Sequence, residues 1–486
     1  MCRTSMCRTR MGSGGLKKRR SDIPARTTRK RLGAVSLAAA LLMGLLLVVA
    51  GCQPSNNIVN PIPDTPIDLT PTDELVLYLP GYQFLDPGFM AAVKAFENTY
   101  PGVKVTVEVI GAPDRVPEGD YQTRINTEAM AGTGPDVFLT SYFFDMYETM
   151  ELGAYLNLEP IIAEDEDFAL EDYNGTVMDA GVYKGGRYII PLKYYLPILL
   201  TEQGILDDIG FDIAQDVNFI SFFNEVADSL PKARENPSFI RLLGDRIAYE
   251  FTQIAGVSLI DREREIILPD EKGLRAVCES YKPYWVIDSL RDDQATTFGG
   301  NVWSVIQEGA IVFGEYQLDI FNTVFDLSQM KATGYTPVLS AIRRADGGLN
   351  ASVGQSVAIR AGSPNQLNAW RYIKILLSES MQNGGSDIAR SCGFPVNKAA
   401  LRRELDGILK EDTLINTPEG KRIFQAVPWS DKEPYLVLHE SITSCTLPDM
   451  ATNWLYSSMK PWFDGKKSYE DCLEDLRQRL TLYFSE

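Results

Sequence analysis

The sequence predicts an α/β fold in which a mixed, mostly parallel sheet is flanked by helices. The first observation is an alternation of strand and helix patterns between residues 74 and 140, with short connections, which is typical of parallel sheets covered on both faces. The second is the composition, since 45% of the 486 residues are hydrophobic and 23% are charged. These proportions indicate a folded protein. A chain of 486 residues is expected to form two or three domains.

The predicted elements follow one another in the order β-α-β-α-β. The run Glu74–Leu79 predicts a first strand, and a helix is expected to open at Asp86 and to stop at Pro101. Alternating β-branched and polar residues predict a second strand at Val103–Ile110, and Pro135–Thr140 predicts a third. Apolar residues at helical spacing define the two helices. They are Phe89, Val93, Phe96 and Tyr100 in the first helix, and Tyr121, Ile125 and Ala129 in the second.

The first 51 residues have the layout of an export signal. They contain eleven Lys or Arg and one acid, and an apolar run at Leu32–Ala50 follows the basic stretch. The segment Val49–Cys52 resembles the lipobox of bacterial lipoproteins, in which the cysteine, here Cys52, is lipidated and becomes the first residue. The alternative is an uncleaved anchor helix, because about nineteen apolar residues also suffice to span a bilayer. Translation starts at Met1 or at Met11.

A flexible tether and an acidic body are expected after Cys52. Residues 52–73 are rich in proline and lack apolar periodicity, which predicts an extended linker. The 435 residues after position 51 carry a formal charge of −28. Because such a body repels phosphate backbones, we expect no nucleic-acid partner.

Histidine and cysteine usage argues against a metal centre. His439 is the only histidine, and no pair of cysteines has the short spacing that zinc sites use. Four cysteines remain in the body, and they could form two disulfides or none. They are Cys278, Cys392, Cys445 and Cys472. We therefore expect neither a metal nor another cofactor.

Several short segments follow one another in an order that is found in one protein family. They are Tyr100–Val103, Ala131–Val137, Gly186–Leu192, Glu308–Val312, Ser356–Ile359, Ser363–Gln366 with a helix at Asn368–Ser378, and Gly393–Asn397. Each is a packing or turn signature, but their joint order, behind a lipobox and a tether, resembles the sugar-type extracellular solute-binding proteins of bacterial ABC importers. The resemblance covers roughly residues 74–486.

This resemblance implies a two-lobed periplasmic-binding-protein-like fold with a ligand cleft between the lobes. Residues 74–190 and about 353–382 would form lobe 1. Residues from about 191 to 352, together with 383–486, would form lobe 2. Closure of the lobes would exclude water and would let groups from both lobes bind one ligand.

Candidate binding residues follow the strands. A sugar site needs aromatic rings to stack on C–H faces and carboxylates or amides to bind hydroxyls, and open α/β sheets bind ligands at the carboxyl ends of their strands. For each aromatic candidate, packing in the core is the alternative. The candidates are Tyr82 after the first strand, Tyr142 and Asp145 after the third, Tyr194 and Tyr195 past the first crossing between lobes, and Glu315 and Tyr316 after a strand expected at residues 310–313.

Three enzymatic or metal-binding alternatives have weaker support in the sequence. The segment around Ser356 approaches the nucleophile-elbow pattern, with His439 downstream, but Ser356 is expected inside a strand, where no sharp turn would expose its hydroxyl. No pair of carboxylates has a spacing that singles out a glycosidase site. The acidic run Glu164–Asp167 lacks the calcium-loop spacing and is expected to be a solvated face.

The sequence and the resemblance together predict a monomeric receptor, not an enzyme, lipid-anchored at the outer face of the cell membrane. Its partners would be a small-molecule ligand, a mono- or oligosaccharide, and the permease of an ABC importer. The first alternative is an adhesive or sensory surface lipoprotein on the same fold. A surface glycosidase is the second alternative.

Overall fold

The structure, a computed structural model, describes residues 65–80, 87–111, 118–141, 145–210, 212–213, 218–225, 240–242, 246–289, 311–313, 320–382, 393–417 and 420–485. The predicted signal segment and Cys52 lie outside the described residues. Among the helices that are described, none is long and apolar enough to cross a membrane.

Strands and helices alternate along most of the described chain. The strands are β1 (Glu74–Pro80), β2 (Lys104–Ile110), β3 (Val137–Ser141), β4 (Val182–Tyr183), β5 (Gly186–Arg187), β6 (Ile190–Tyr195), β7 (Ile198–Glu202), β8 (Ile240–Leu242), β9 (Ile260–Asp261), β10 (Ile266–Ile267), β11 (Ile311–Phe313), β12 (Pro337–Ala341), β13 (Leu349–Ile359), β14 (Phe394–Pro395), β15 (Thr413–Thr417), β16 (Gly420–Phe424) and β17 (Ile442–Thr446). The helices are α1 (Pro87–Thr99), α2 (Glu118–Met130), α3 (Met146–Glu151), α4 (Glu159–Glu164), α5 (Gly175–Met178), α6 (Gln203–Ile209), α7 (Arg246–Ala255), α8 (Glu271–Ser289), α9 (Ile320–Ala332), α10 (Gln366–Leu377), α11 (Glu379–Gln382), α12 (Lys398–Gly407), α13 (Trp429–Glu440), α14 (Met450–Phe463) and α15 (Tyr469–Ser485).

The predicted β-α-β-α-β unit is confirmed. β1 pairs in parallel with β2 on one side and with β3 on the other. Helix α1 buries Phe89, Val93 and Phe96, and helix α2 buries Tyr121 and Ile125. Full burial of a large apolar side chain stabilises the fold by roughly 1.5–3 kcal/mol. The apolar faces of α1 and α2 therefore stabilise the packing of both helices on the sheet.

A seven-stranded mixed sheet extends this unit in the order β14-β6-β13-β3-β1-β2, with β17 paired to β13. β13 runs antiparallel to both β3 and β6, and β14 runs antiparallel to β6. The antiparallel part is larger than the βαβαβ pattern alone indicates, because the eleven-residue strand β13 pairs antiparallel with both β3 and β6. β13 continues past the carboxyl end of β3, where β17 replaces β3 as its neighbour.

A second group of elements, named here the distal group, contains residues 196–341 of the described chain. In it β7 pairs antiparallel with β12, β8 pairs in parallel with β11, and β9 and β10 form a hairpin. Its core includes Phe219, Phe251 and Tyr281, and the rings of Phe251 and Tyr281 stack with centroids 5.4 Å apart. Phe463 of α14 packs edge-on against both of these stacked rings. Helix α14 therefore belongs to the distal core although it lies near the end of the chain.

The structure shortens the predicted tether. Residues 65–73 form no helix or strand, and Ile67 and Leu69 pack partly buried against the core. The backbone N–H of Asp68 donates to Gln366 Oε1 at 2.8 Å, and Asn368 Nδ2 donates to the carbonyl of Thr72 at 3.0 Å. The start of α10 thus binds the segment that composition alone assigns to a free linker.

The acidic run at residues 164–167 has a packing role in addition to its solvated positions. Asp165 Oδ2 accepts a hydrogen bond from Trp370 Nε1 at 2.6 Å and forms an ion pair with Lys374 Nζ at 2.6 Å. Asp165 follows α4 directly, and both partners lie on α10. The carboxylate therefore joins two helices, and no group of residues in the described chain has the composition of a metal site.

Candidate functional site

Five of the predicted functional residues lie outside the described residues. They are Cys52, Tyr82, Tyr142, Glu315 and Tyr316. The structure describes Asp145, Tyr194 and Tyr195, and it gives each a packing or capping role.

Tyr194 belongs to the core. Its ring is 0% exposed, and its hydroxyl lies 2.7 Å from Nδ1 of His439. The ring also packs against Phe394, 6.0 Å away, and burial raises the pKa of the Tyr194 hydroxyl. The expectation that Tyr194 faces the cleft as a stacking surface is not supported by this placement, because β6 is covered by protein along its whole length.

Tyr195 is enclosed in a slot between two glycines. A Cβ atom on Gly354 would lie 2.5 Å from Cε2 of the Tyr195 ring, and a Cβ on Gly393 would lie 3.1 Å from Cε1. Gly393 also has a φ of +108°, a conformation that side-chain-bearing residues rarely adopt. Tyr195 is 3% exposed in this structure, so its predicted ligand contact is likewise not supported.

Asp145 caps a helix. Its Oδ1 accepts the backbone N–H of Glu148 at 3.0 Å at the start of α3, and its Oδ2 accepts the hydroxyl of Tyr483 at 2.8 Å. Burial raises the pKa of the Asp145 carboxyl. The pattern of an Asp followed three residues later by Glu148 is a helix-start signal and could have identified this cap from the sequence.

A cavity of about 460 Å³ lies beyond the carboxyl end of β3 and is called here the Arg262 cavity. Side chains from the large-sheet elements, from the distal group and from the last strand and helices line it. The polar and aromatic residues of the lining include Tyr147, Tyr183, Asp261, Arg262, Glu263, Arg344, Asn350, Ser444, Thr446 and Asp449. Ligand sites typically measure about 300–1,000 Å³ and often lie between domains.

Arg262 contacts several other side chains around this cavity. Its guanidinium carbon lies 4.0 Å from the centroid of the Tyr147 ring and 5.5 Å from that of Tyr483. One of its terminal nitrogens forms an ion pair with Asp449 Oδ2 at 3.0 Å and lies 3.3 Å from the Tyr483 hydroxyl. Tyr147 is on α3, so Arg262 connects the large-sheet elements with the β9–β10 hairpin.

A polar network forms another wall of the cavity. Arg344 donates to Ser444 Oγ at 3.0 Å, and Ser444 Oγ donates to Asn350 Oδ1 at 2.7 Å. Asn350 Nδ2 in turn donates to Thr446 Oγ1 at 3.2 Å. The lining thus includes an amide and two hydroxyls together with the rings of Tyr147 and Tyr183, which are the kinds of group that a polyhydroxylated ligand needs.

A second cavity of about 460 Å³, the His439 cavity, lies between α5, β14, α12 and α13. Two of its polar groups, the Tyr194 hydroxyl and His439 Nδ1, already bond to each other. Burial lowers the pKa of His439 to about 3, so the ring is neutral. The Arg262 cavity is the better candidate site because residues of the distal group and of the large-sheet elements line it together, whereas no residue of the distal group is among those that line the His439 cavity.

The serine-hydrolase alternative has no geometric support. Ser356 is 0% exposed inside β13, and its Oγ lies 2.6 Å from Oγ1 of Thr140 on β3. His439 bonds to Tyr194 and not to a serine. The described cysteines Cys278, Cys445 and Cys472 are free thiols, and burial raises the pKa of Cys278 and Cys445, which disfavours the nucleophilic thiolate.

Comparison with known proteins agrees with this architecture. Residues 85–252 match the family described as bacterial extracellular solute-binding protein. No curated protein sequence matches the chain. Among solved structures, the sugar-binding protein MalE from Xanthomonas citri is 16% identical, with a TM-score of 0.59 over 85% of this chain and 97% of that one.

Two further structures show the same likeness over nearly their whole length. An ABC substrate-binding protein from Listeria monocytogenes in complex with cycloalternan is 16% identical, with a TM-score of 0.55 over 85% of this chain and 99% of that one. An ABC transporter solute-binding protein from Thermotoga lettingae bound with α-D-tagatose is 14% identical, with a TM-score of 0.52 over 85% and 100%. Residues 85–252 thus match the bacterial extracellular solute-binding protein family, and the chain has the two-lobed, periplasmic-binding-protein-like fold of these solute-binding proteins.

Proposed function

We propose that the chain is an extracytoplasmic receptor that captures a carbohydrate by closure of its two lobes and delivers it to the permease of an ABC importer. The lobes would be residues 74–190 with 353–382, and residues 191–352 with 383–486. The observation that carries this proposal is the Arg262 cavity, in which Tyr147 of the first lobe meets Arg262 and Asp449 of the second. The structurally similar proteins bind cycloalternan and tagatose and are binding proteins rather than enzymes.

The composition of the cavity favours sugars over purely apolar ligands. Tyr183 packs edge-on against Tyr147 with ring centroids 5.5 Å apart, and its hydroxyl bonds to Glu151. Asn350, Ser444 and Thr446 face the same space. A ligand that fills this space would exchange water for paired hydroxyls on one side and ring faces on the other.

A thermal-shift screen against neutral mono- and oligosaccharides, followed by titration calorimetry, tests the function. A ligand at 100 times its Kd adds about 2.7 kcal/mol to the free energy of unfolding. Replacing Asn350 by leucine should remove the response, because it removes the amide at the centre of the polar network. Glu97→Ala, on the exposed face of α1, is the matched control. Saturable binding that is unchanged in Asn350→Leu would place the site elsewhere.

Tyr316 remains a proposed stacking residue, with Glu315 beside it as the acceptor for ligand hydroxyls. Tyr316→Ala is expected to weaken binding of the sugar found in the screen about tenfold or more, since losing a ring anchor in a closed site costs roughly 1–3 kcal/mol. The melting temperature without ligand should stay nearly unchanged. Calorimetry on the variant checks the affinity, and an unchanged Kd would return Tyr316 to a packing role.

We further propose that Cys52 is lipidated after removal of residues 1–51, and that the protein is a monomer held at the outer face of the membrane. Cys52→Ser should therefore yield a protein that is soluble or unprocessed, because the thiol that accepts the lipid is missing. Metabolic labelling with palmitate and membrane fractionation measure this outcome. A mutant that still incorporates lipid and stays in the membrane fraction would contradict it.

A further inference from the structure

Polar and aromatic side chains from the two lobes meet beside the Arg262 cavity. Asp145 and Tyr147 lie at the start of α3, which follows the large-sheet strand β3 along the chain. Their partners are Arg262 in the β9–β10 hairpin, Asp449 before α14 and Tyr483 in α15. Helix α14 belongs to the distal core, and α15 packs against α14 and β10. The network of these five residues therefore crosses from one lobe to the other.

The first crossing contact is a hydrogen bond. The hydroxyl of Tyr483 donates to Asp145 Oδ2 at 2.8 Å. Asp145 is 6% exposed, and its Oδ1 already accepts the backbone N–H of Glu148. A buried carboxylate is unfavourable unless donors surround it. The hydroxyl of one lobe therefore stabilises a carboxylate of the other lobe, and separating the lobes breaks this bond.

The second crossing contact is a cation–π contact. The guanidinium carbon of Arg262 lies 4.0 Å from the centroid of the Tyr147 ring. The Arg262 side chain is 8% exposed and pairs with Asp449 at 3.0 Å. One of its terminal nitrogens also donates to the Tyr483 hydroxyl at 3.3 Å, so both crossing contacts belong to one network. A cation–π contact is stronger where water is excluded, as it is around this buried guanidinium.

The character of this contact surface allows the lobes to separate. The core of each lobe is apolar, with Phe96 in the large-sheet lobe and Phe251 in the distal core as examples. Beside the Arg262 cavity the lobes meet instead through carboxylates, a guanidinium and hydroxyl-bearing rings. Polar interfaces of this kind are typical of domains that move relative to each other. Separating the lobes here exposes groups that water solvates, whereas opening either core would expose apolar side chains.

We propose that Asp145, Tyr147, Arg262, Asp449 and Tyr483 form a latch that holds the two lobes together when no ligand is bound. All of its contacts are between protein groups, so they need no ligand. The inference rests on the proposed function, in that the two lobes open and close around the cavity. It adds the contacts that set the ratio of open to closed molecules before a ligand arrives. A ligand then enters through the minor open population, and its affinity depends on the size of each population.

Small-angle X-ray scattering without ligand tests the latch. The protein is the chain from residue 53 onwards, which lacks the proposed lipidation site Cys52 and contains every described residue. Tyr483→Phe removes the hydroxyl but keeps the ring, and Tyr147→Leu removes the ring that faces Arg262. The double variant removes both crossing contacts. Tyr335→Phe is the matched control, because Tyr335 lies in the distal group and is not among the residues that line the cavity.

Each single substitution is expected to raise the ratio of open to closed molecules about tenfold, because a hydrogen bond to a charged group and a water-excluded cation–π contact each have an energy of that size. The double variant should raise the ratio further and show a larger radius of gyration. The wild type and Tyr335→Phe should share the same smaller value. Thermal melting followed by circular dichroism shows whether an expanded variant is still folded.

The outcomes separate this inference from the proposed function. A double variant with the radius of gyration of the wild type overturns the latch, and this includes a wild type that is already open without ligand. The receptor function then still stands, because sugar binding is measured separately. If the double variant opens but no sugar of the screen binds, the latch stands and the receptor function fails. If Tyr147→Leu does not fold, the radius of gyration of Tyr483→Phe against that of Tyr335→Phe decides.

Discussion

Replacing Asp136 with alanine is expected to lower the free energy of unfolding by about 3–5 kcal/mol. The carboxylate is 2% exposed and accepts three hydrogen bonds. They come from the backbone N–H of Val76 at 2.7 Å, from Ser363 Oγ at 2.7 Å and from Asn365 Nδ2 at 3.0 Å. Alanine would leave all three donors buried without an acceptor. Urea denaturation at pH 7, with the slope on denaturant compared between the proteins, measures the loss.

Two variants make this result interpretable. Asp136→Asn keeps the shape and one acceptor oxygen, so an intermediate loss is expected. Glu97→Ala changes an exposed carboxylate and should stay within about 0.5 kcal/mol of the wild type. A loss below about 1 kcal/mol for Asp136→Ala would show that the three donors find other partners, and would remove this residue from the interactions that hold β1, β3 and the turn before α10 together.

Asp136 makes long-range contacts that the short motif around it does not reveal in the sequence. In the sequence the segment Ala131–Val137 only resembles a family signature, yet its single carboxylate connects β1 with residues 363 and 365, more than 220 positions later. The neighbouring Arg360 adds to the same contact by donating to the carbonyl of Pro135 at 2.9 Å. The motif therefore connects the first strands of the sheet with the residues that follow β13.

The local elements could be predicted because their signals are local. The apolar face of α1 and the alternation in β2 are set by the helical and strand periods, and the structure confirms both. The sequence also predicts a strand at Ser356–Ile359. The structure confirms this strand and buries Ser356 within it, so the Ser356 hydroxyl is not an exposed nucleophile. What periodicity cannot give is which faces of a strand are covered.

Tyr194 and Tyr195 illustrate that limit. Consecutive residues on a strand point to opposite faces, so at most one of them could face a cleft on one side of the sheet. Both are buried, so protein covers both faces of β6 at these positions. Their chain position beside a predicted crossing contains no information about the layers above and below.

The Arg262 cavity could not be derived from the sequence for a different reason. Arg262 and Asp449 are 187 positions apart and meet only in the folded chain. Arg262 belongs to the run Asp261–Glu265, whose alternating charges indicate a solvated turn, and Glu263 and Arg264 of this run are exposed. Asp449 has the appearance of a helix cap, which it also is. Neither residue carries a local signal of a site.

The sole histidine offers a second large effect, which depends on pH. The ring of His439 is 2% exposed, it packs against Phe394 at 4.3 Å, and its Nε2 has no partner. Lys398, Arg402 and Glu440 line the same cavity. Burial lowers the pKa of His439 from 6.5 to about 3, so in the unfolded chain the imidazole takes up a proton at a pH where the folded protein keeps it neutral.

The sign of the effect follows from proton linkage. Because the unfolded state binds the extra proton, stability is complete above pH 6.5 and is lost as the pH falls from 6.5 towards 3, at up to about 1.4 kcal/mol per pH unit. Between pH 7 and pH 5 the wild type should lose about 2 kcal/mol from this residue. The carboxyls of Asp145 and Glu148, whose pKa values burial raises, act in the opposite direction.

His439→Asn isolates this contribution, because asparagine keeps a hydrogen-bonding partner near the Tyr194 hydroxyl and does not titrate. We expect the variant to be less stable than the wild type at pH 7, where His439 packs best, and the gap to shrink by about 2 kcal/mol at pH 5. Urea denaturation of both proteins at pH 7, 6 and 5 measures the two slopes, and the contributions of Asp145 and Glu148 cancel in their difference. A gap that stays constant over this range would mean that folded His439 takes up its proton as readily as the unfolded chain does, and that the enclosed imidazole beside Tyr194 opens to solvent.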